Sequence, residues 1–273
     1  MPPGVIFRGH TSQSPPPDIA DALAHAASRL GGFGWPFIWF SEVTSTNDVL
    51  AMLADHGAAE GAVVAAEAQT AGRGRFGRVW HSPSMAGLYL SLLLRPASHA
   101  APLVTIAAGV AVSEGIETAT ALQTSVKWPN DVNSGGRKIA GILAEAGTSA
   151  SGLQHVVLGC GINVMPAAYP PEIAQRATSI EGELGRHVDR GAVLAECLAA
   201  FATHYERLRN GKQSDVIDSW RRRAAPSLSR RVEWELNAVT RRGVAEDVDE
   251  SGALLVRTDA GLERIISGEV RWI

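Results

Sequence analysis

Apolar residues fall first into short blocks. FIWFSEV (37–43), AVVAAEAQ (62–69) and LYLSLLLR (88–95) are strand-length runs set between segments rich in Gly, Pro and polar residues, and predict strands. Leu103–Leu122 is apolar for longer, with only Glu114 and Glu117 charged, and predicts a buried helix. SVKWP, RKIAGILAEAG and HVVLGCGINV predict three further strands. Val193, Leu194, Cys197, Leu198, Phe201 and Tyr205 mark one face of a helix over Asp189–Asn210, and a second helix follows over Asp215–Arg223. Near the start, Asp18 caps a short helix that ends before Gly31–Gly34, and Ser45 with Asp48 fits a capping box for a helix to about Ala54. Strands that mostly precede helices or hairpins predict an α+β fold, a mixed sheet with helices packed on one side. From Leu228 the texture changes to short strands split by ESG, DAG and SG, which suits a barrel of roughly five strands. The expected division is an arm and short helix over 1–34, a main domain over 35–226 and a small β-barrel over 227–273. Residues 1–17, polar and ending in three prolines, are expected to be disordered.

Composition narrows the functional classes. With 273 residues, 45% hydrophobic and 19% charged, the chain can bury one large core and a small module. A net charge of −3 supplies no global field for DNA, RNA or anionic lipid. Seven arginines between Arg221 and Arg242 therefore read as a solvated or interdomain face before a nucleic-acid patch. Two cysteines, Cys160 and Cys197, do not make a disulfide scaffold, and a reducing cytoplasm is the simplest setting. Met1–Gln13 lacks the apolar core of a signal peptide, no segment is expected to span a membrane, and eight scattered histidines give no zinc spacing, so no protein-held metal is expected.

QTAGRGRFGRVW (69–80) threads Gly72, Gly74 and Gly77 between Arg73, Arg75 and Arg78. Glycine allows close backbone approach and a guanidinium offers a fixed fork of donors, so the segment is suited to close over a carboxylate or phosphate. Its letters also fit a dinucleotide fingerprint, a kinase loop and an RNA-binding Arg/Gly box. The first fails because Pro83 and Gly87 forbid a following helix and no acid lies between Glu67 and Glu114. The second fails for want of H-R-D and D-F-G. The third is weakened because the box occurs once, between apolar strands.

Four other strings stand out: Ser45-Thr46-Asn47, KWPND (127–131), RKIAG (137–141) and GCGIN (159–163). Singly, each could be a helix cap, a proline turn, a surface lysine or a tight crossing. In this order, with GRGRFGR between the first two, they resemble the catalytic domain of biotin protein ligases over roughly Trp39–Val164, and the C-terminal barrel fits that family's SH3-like domain. The resemblance implies a class II synthetase-like mixed sheet flanked by helices. It also implies a two-step reaction: biotin and ATP give biotinyl-5′-AMP and pyrophosphate, then a lysine of a biotin carboxyl carrier domain, as in acetyl-CoA carboxylase, takes the biotin.

By resemblance, Ser45, Thr46, Asn47 and Gln69 would line the biotin site. Arg73, Gly74 and Arg75 would wrap the biotin tail and phosphate with Arg78 assisting, and Lys138 would hold the carboxylate and α-phosphate. Lys127 would share the anion load, Asn130 and Trp80 would meet adenine, Asp131 would help position Mg²⁺, and Asn163 would steady the acyl carbonyl. The glycines suggest a lid that orders over the reactive adenylate. About 36 residues precede the first catalytic strand, too few for the DNA-binding domain some relatives carry, so a form without it is expected. Val79 replaces a commonly basic residue, and Cys160 stands where a smaller one is common, suggesting a thiol sensitive to alkylation. A homodimer stays open. The rivals are a lipoate ligase or octanoyltransferase of the same fold, and a non-catalytic phosphate- or nucleic-acid-binding module.

Overall fold

The computed structural model describes residues 4–150, 152–167, 169–236 and 238–273. In chain order these form β1 (Ile6–Phe7), β2 (His10–Thr11), α1 (Pro17–Ala26), β3 (Phe37–Phe40), α2 (Thr46–Asp55), β4 (Val63–Ala66), β5 (Gly87–Leu94), α3 (Val104–Thr120), β6 (Ser125–Lys127), β7 (Asp131–Ser134), β8 (Arg137–Ser149), β9 (Gly152–Asn163), α4 (Pro171–Ala174), α5 (Ile180–Leu184), α6 (Arg190–Arg209), α7 (Gln213–Ala224), β10 (Arg231–Leu236), β11 (Val239–Val248), β12 (Leu254–Thr258), β13 (Gly261–Ile265) and β14 (Val270–Trp272).

The main sheet has the order β3-β4-β5-β9-β8-β7-β6, and only β3 and β4 run parallel. It is buried on both faces at its centre. Leu88, Leu90, Leu92 and Leu94 of β5 join the larger core with α1, α3, α6 and α7, while Leu93 points the other way. There α2 buries Val49, Leu50 and Ala54 against Ile38, Phe40, Val64 and Val157. The helices are therefore not all on one side, contrary to the sequence expectation, since α2 packs on the second face. Ala101–Thr120 is long and apolar enough to cross a membrane by composition, but here it is largely buried, packed against α6, α7 and the sheet.

One further expectation changes. Residues 4–16 are not a disordered arm: β1 and β2 form a hairpin, Phe7 is buried in the α2 core, and the Gln13 amide donates to the Trp39 carbonyl at 2.8 Å. The otherwise unpaired edge of β3 and the apolar Phe7 give this segment its structure; residues 1–3 lie outside the described residues. KWPND ends β6 at Lys127 in a proline-bearing turn, and a strand the sequence did not predict, β7, opens at Asp131 and pairs with both β6 and β8.

The C-terminal strands form one antiparallel sheet in the order β13-β12-β11-β10-β14. Among the described residues β13 and β14 do not pair, so hydrogen bonding does not close the expected barrel. Trp128 Nε1 donates to the Gly252 carbonyl and Trp272 Nε1 to the Ser227 carbonyl, both at 2.9 Å, and Val232, Val248 and Leu254 join the larger core.

Candidate active site

The floor of the site is built where α2 begins above β5 and β9. Thr46 and Asn47 are buried, and the Ser91 hydroxyl of β5 sits 2.8 Å from Thr46 Oγ1 and 2.5 Å from Asn47 Oδ1. The capping-box expectation is corrected. Ser45 makes no capping hydrogen bond, and Asp48 instead accepts from Arg73 at 2.6 Å. The Thr46 amide, free of any partner within the helix, donates to Gln69 Oε1 at 2.9 Å, and Gln69 Nε2 donates to Ser82 Oγ at 3.0 Å. A carboxamide from the loop thus caps the helix and fixes its first residues.

Glycines in the two strand motifs clear space for larger groups. Gly141 and Gly161 lie opposite each other on β8 and β9, with Leu143 and Gly159 the second pair along from them. A Cβ on Gly161 would collide with the Trp80 indole, one on Gly141 would meet it at 2.9 Å, and one on Gly159 would collide with Asn47 Oδ1. Trp80 Nε1 is buried without a hydrogen-bond partner. Cys160 lies between these glycines and so faces the opposite side, packed against the larger core. Burial pushes its thiol up to about 12, which opposes the expected alkylation sensitivity.

Cations form the wall. The loop is folded back on itself by the Gly74 amide donating to the Arg78 carbonyl at 2.7 Å, and Gly77 takes a φ of 72° that favours glycine. Arg75 Nη1 donates to Asn130 Oδ1 at 3.4 Å and Nη2 to the Gly268 carbonyl at 3.2 Å. Burial pulls the Arg75 pKa down, and no ion pair holds it among the described residues. Lys138 Nζ lies 2.6 Å from Asp131 Oδ1 and 5.3 Å from the centre of the Trp80 ring. Lys127 Nζ stands 4.6 Å over Trp272, its pKa lowered by burial against the pull of Asp131.

One cavity of about 690 Å³ is lined by Ser45, Thr46, Asn47, Gln69, Arg73, Gly74, Arg75, Arg78, Trp80, Lys127, Asn130, Asp131, Lys138 and Asn163. Some are already engaged. Arg73 is held by Asp48 and by Glu145 at 3.0 Å; burial works against its charge, but these carboxylates outweigh it and raise its pKa. Arg78 pairs with Glu269, and Asn163 Nδ2 donates to the Thr178 carbonyl at 2.9 Å.

Several lining or supporting residues were not anticipated. Glu145 accepts from Asn47 Nδ2 at 2.5 Å as well as from Arg73, and its place two residues beyond Leu143 and four beyond Gly141, on the same face of the strand, is a signal that could have found it. Tyr169, Ile173 and Arg176 come from the segment after β9, which β8 holds through the Lys138 amide donating to the Arg176 carbonyl at 2.7 Å. Glu269, Arg271 and Trp272 come from the C-terminal sheet. No motif in the sequence marks either segment.

Residues 39–163 match the biotin/lipoate A/B protein ligase family, and residues 228–271 match the biotin protein ligase C-terminal domain. The chain is 33% identical over 267 residues to the bifunctional ligase/repressor of Bacillus subtilis, covering 96% of this chain and 82% of that protein. It is 35% identical to the biotin–[acetyl-CoA-carboxylase] ligase of Paracoccus denitrificans, covering 83% and 96%. Among solved structures, the biotin protein ligase from Aquifex aeolicus in complex with biotin and ATP superposes with a TM-score of 0.75 at 32% identity, covering 87% of this chain and 99% of that one. The chain belongs to the biotin protein ligase family, whose two steps are biotin activation and transfer.

Proposed function

We propose that this cavity joins biotin to ATP and passes the biotin to a lysine of a biotin carboxyl carrier domain. The observation that carries this reading is the meeting of Arg75 and Lys138, from separate stretches, at a cavity that also holds the hydroxyls and amides of Thr46, Asn47 and Gln69. A biotin carboxylate and a triphosphate repel each other, so cations must neutralise both before they react. Ser45, Thr46, Asn47 and Gln69 suit the paired donor and acceptor of the ureido ring. Lys138 and Arg75 hold the carboxylate against the α-phosphate, Arg78 and Lys127 take the remaining phosphate charge, and Trp80 and Asn130 receive adenine. Arg73, already held by two carboxylates, acts by fixing the loop. Asn163, whose amide is engaged, remains a wall residue.

The biotin carboxylate oxygen attacks the α-phosphorus and pyrophosphate leaves. The acceptor amine then attacks the acyl carbon, loses a proton and expels AMP. A Mg²⁺ ion carried mainly by the ATP phosphates and water would take Asp131, which lines the cavity, as its single protein carboxylate. When bound, that ion would screen phosphate charge. A cytoplasmic setting and the division at 35–226 and 227–273 go with this reading. Incubation with ATP, Mg²⁺, an acetyl-CoA carboxylase carrier domain and either biotin or lipoate tests it by mass: a biotin increment alone supports it, and a lipoyl increment alone supports the rival.

A further inference from the structure

The C-terminal sheet delivers a carbonyl and a carboxylate to the glycine loop. Gly268 accepts from Arg75, and Glu269 accepts from Arg78. These are the two loop guanidiniums left for a ligand, because Asp48 and Glu145 already hold Arg73. The two contacts differ in kind. Arg75 meets a neutral acceptor and keeps its charge available, whereas Arg78 is matched by a full negative charge. Hydrogen bonding to Arg78 holds the Glu269 carboxyl below the usual carboxylate range, and Arg271 at 3.5 Å adds to this.

The Arg78 and Glu269 side chains are 63% and 37% exposed. Such a solvent-facing pair is weak, and a multiply charged phosphate is a stronger partner for a guanidinium than one carboxylate. Releasing Arg78 does not strand Glu269, because Arg271 stays beside it. We propose that Glu269 is a positioning residue that occupies Arg78 in the empty enzyme, keeps it at the cavity mouth, and yields it to the phosphates of ATP. The inference rests on the cavity being the nucleotide site.

The test is biotin-dependent pyrophosphate–ATP exchange by the intact chain in wild type, Glu269→Gln, Arg78→Gln and the double variant. Glu269→Gln removes the competing charge and is expected to lower KM for ATP about threefold, the scale of one exposed ion pair, with KM for biotin unchanged. Arg78→Gln is expected to raise KM for ATP, and adding Glu269→Gln to it to change nothing further. An unchanged or raised KM for ATP in Glu269→Gln overturns the placeholder. The same threefold drop in the Arg78→Gln background also overturns it, since a general field rather than this pair is then responsible. An Arg78→Gln variant with the wild-type KM for ATP contradicts the placing of phosphate at Arg78, and wild type without exchange contradicts the functional reading; either removes the inference too.

Discussion

Lys138 and Gly141 face the same cavity although they are three residues apart on one strand, where strict alternation would put them on opposite faces. The pairing of β7 with β8 shifts register here: Val132 lies opposite Ala140 and Asn133 opposite Lys138, leaving Ile139 as the extra residue. The bulge turns Lys138 toward Asp131 and Trp80 while Ile139 and Ala140 both enter the core.

Lys138→Met keeps the stem and removes the ammonium. Biotin-dependent pyrophosphate exchange is expected to fall about 10²–10³-fold, the scale of one preorganised donor to a developing negative charge. Thermal unfolding is expected to change little, because Lys138 is partly exposed and sits at the cavity wall. Exchange at the wild-type rate would remove Lys138 from the chemistry.

Two single methyl groups separate the two ends of the cavity. Gly159→Ala intrudes on Asn47 and is expected to weaken biotin binding about tenfold or more, while Gly161→Ala displaces Trp80 and is expected to act mainly on KM for ATP. Calorimetric titration with biotin alone separates them. Equal loss of biotin affinity in both variants would refute the division.

Glu114 reports on the packing behind the site. Burial raises its carboxyl pKa, but His204 at 2.7 Å and Arg223 outweigh that and hold it below the usual carboxylate range. A depressed acid stabilises the fold above its unfolded pKa and loses that contribution as pH falls through the folded value. Glu114→Gln is therefore expected to cost about 1–3 kcal/mol at pH 7, with the deficit shrinking below about pH 4. Urea midpoints across that range check it, and a deficit independent of pH would count against the pairing.

Cys160 is expected to resist iodoacetamide at neutral pH in the folded protein and to react in urea, since burial suppresses its thiolate. Intact-mass measurement decides. Rapid native labelling would mean that strand β9 opens readily.

Much of this arrangement was legible in the chain. The apolar runs located the strands of the catalytic sheet, except β7, and the helices α3 and α6, because burial on a sheet or helix face leaves a period in the sequence. The Arg/Gly loop and the strings around Asn47, Lys138 and Gly161 named residues that line one cavity. Contacts between distant segments left no such trace. Gln69 caps α2 from 23 residues away, the bulge at Ile139 re-aims Lys138, and Glu269 reaches Arg78 from the C-terminal sheet. Residues 4–16 looked disordered because their support is the edge of β3, which local composition does not reveal.

The most direct test of the central claim is pyrophosphate exchange into ATP by wild type and Arg75→Ala, with and without biotin. Exchange in wild type only when biotin is present, and a loss of about 2–4 kcal/mol of transition-state stabilisation in Arg75→Ala, is the predicted result. Exchange that ignores biotin, or an Arg75→Ala rate equal to wild type, would contradict it.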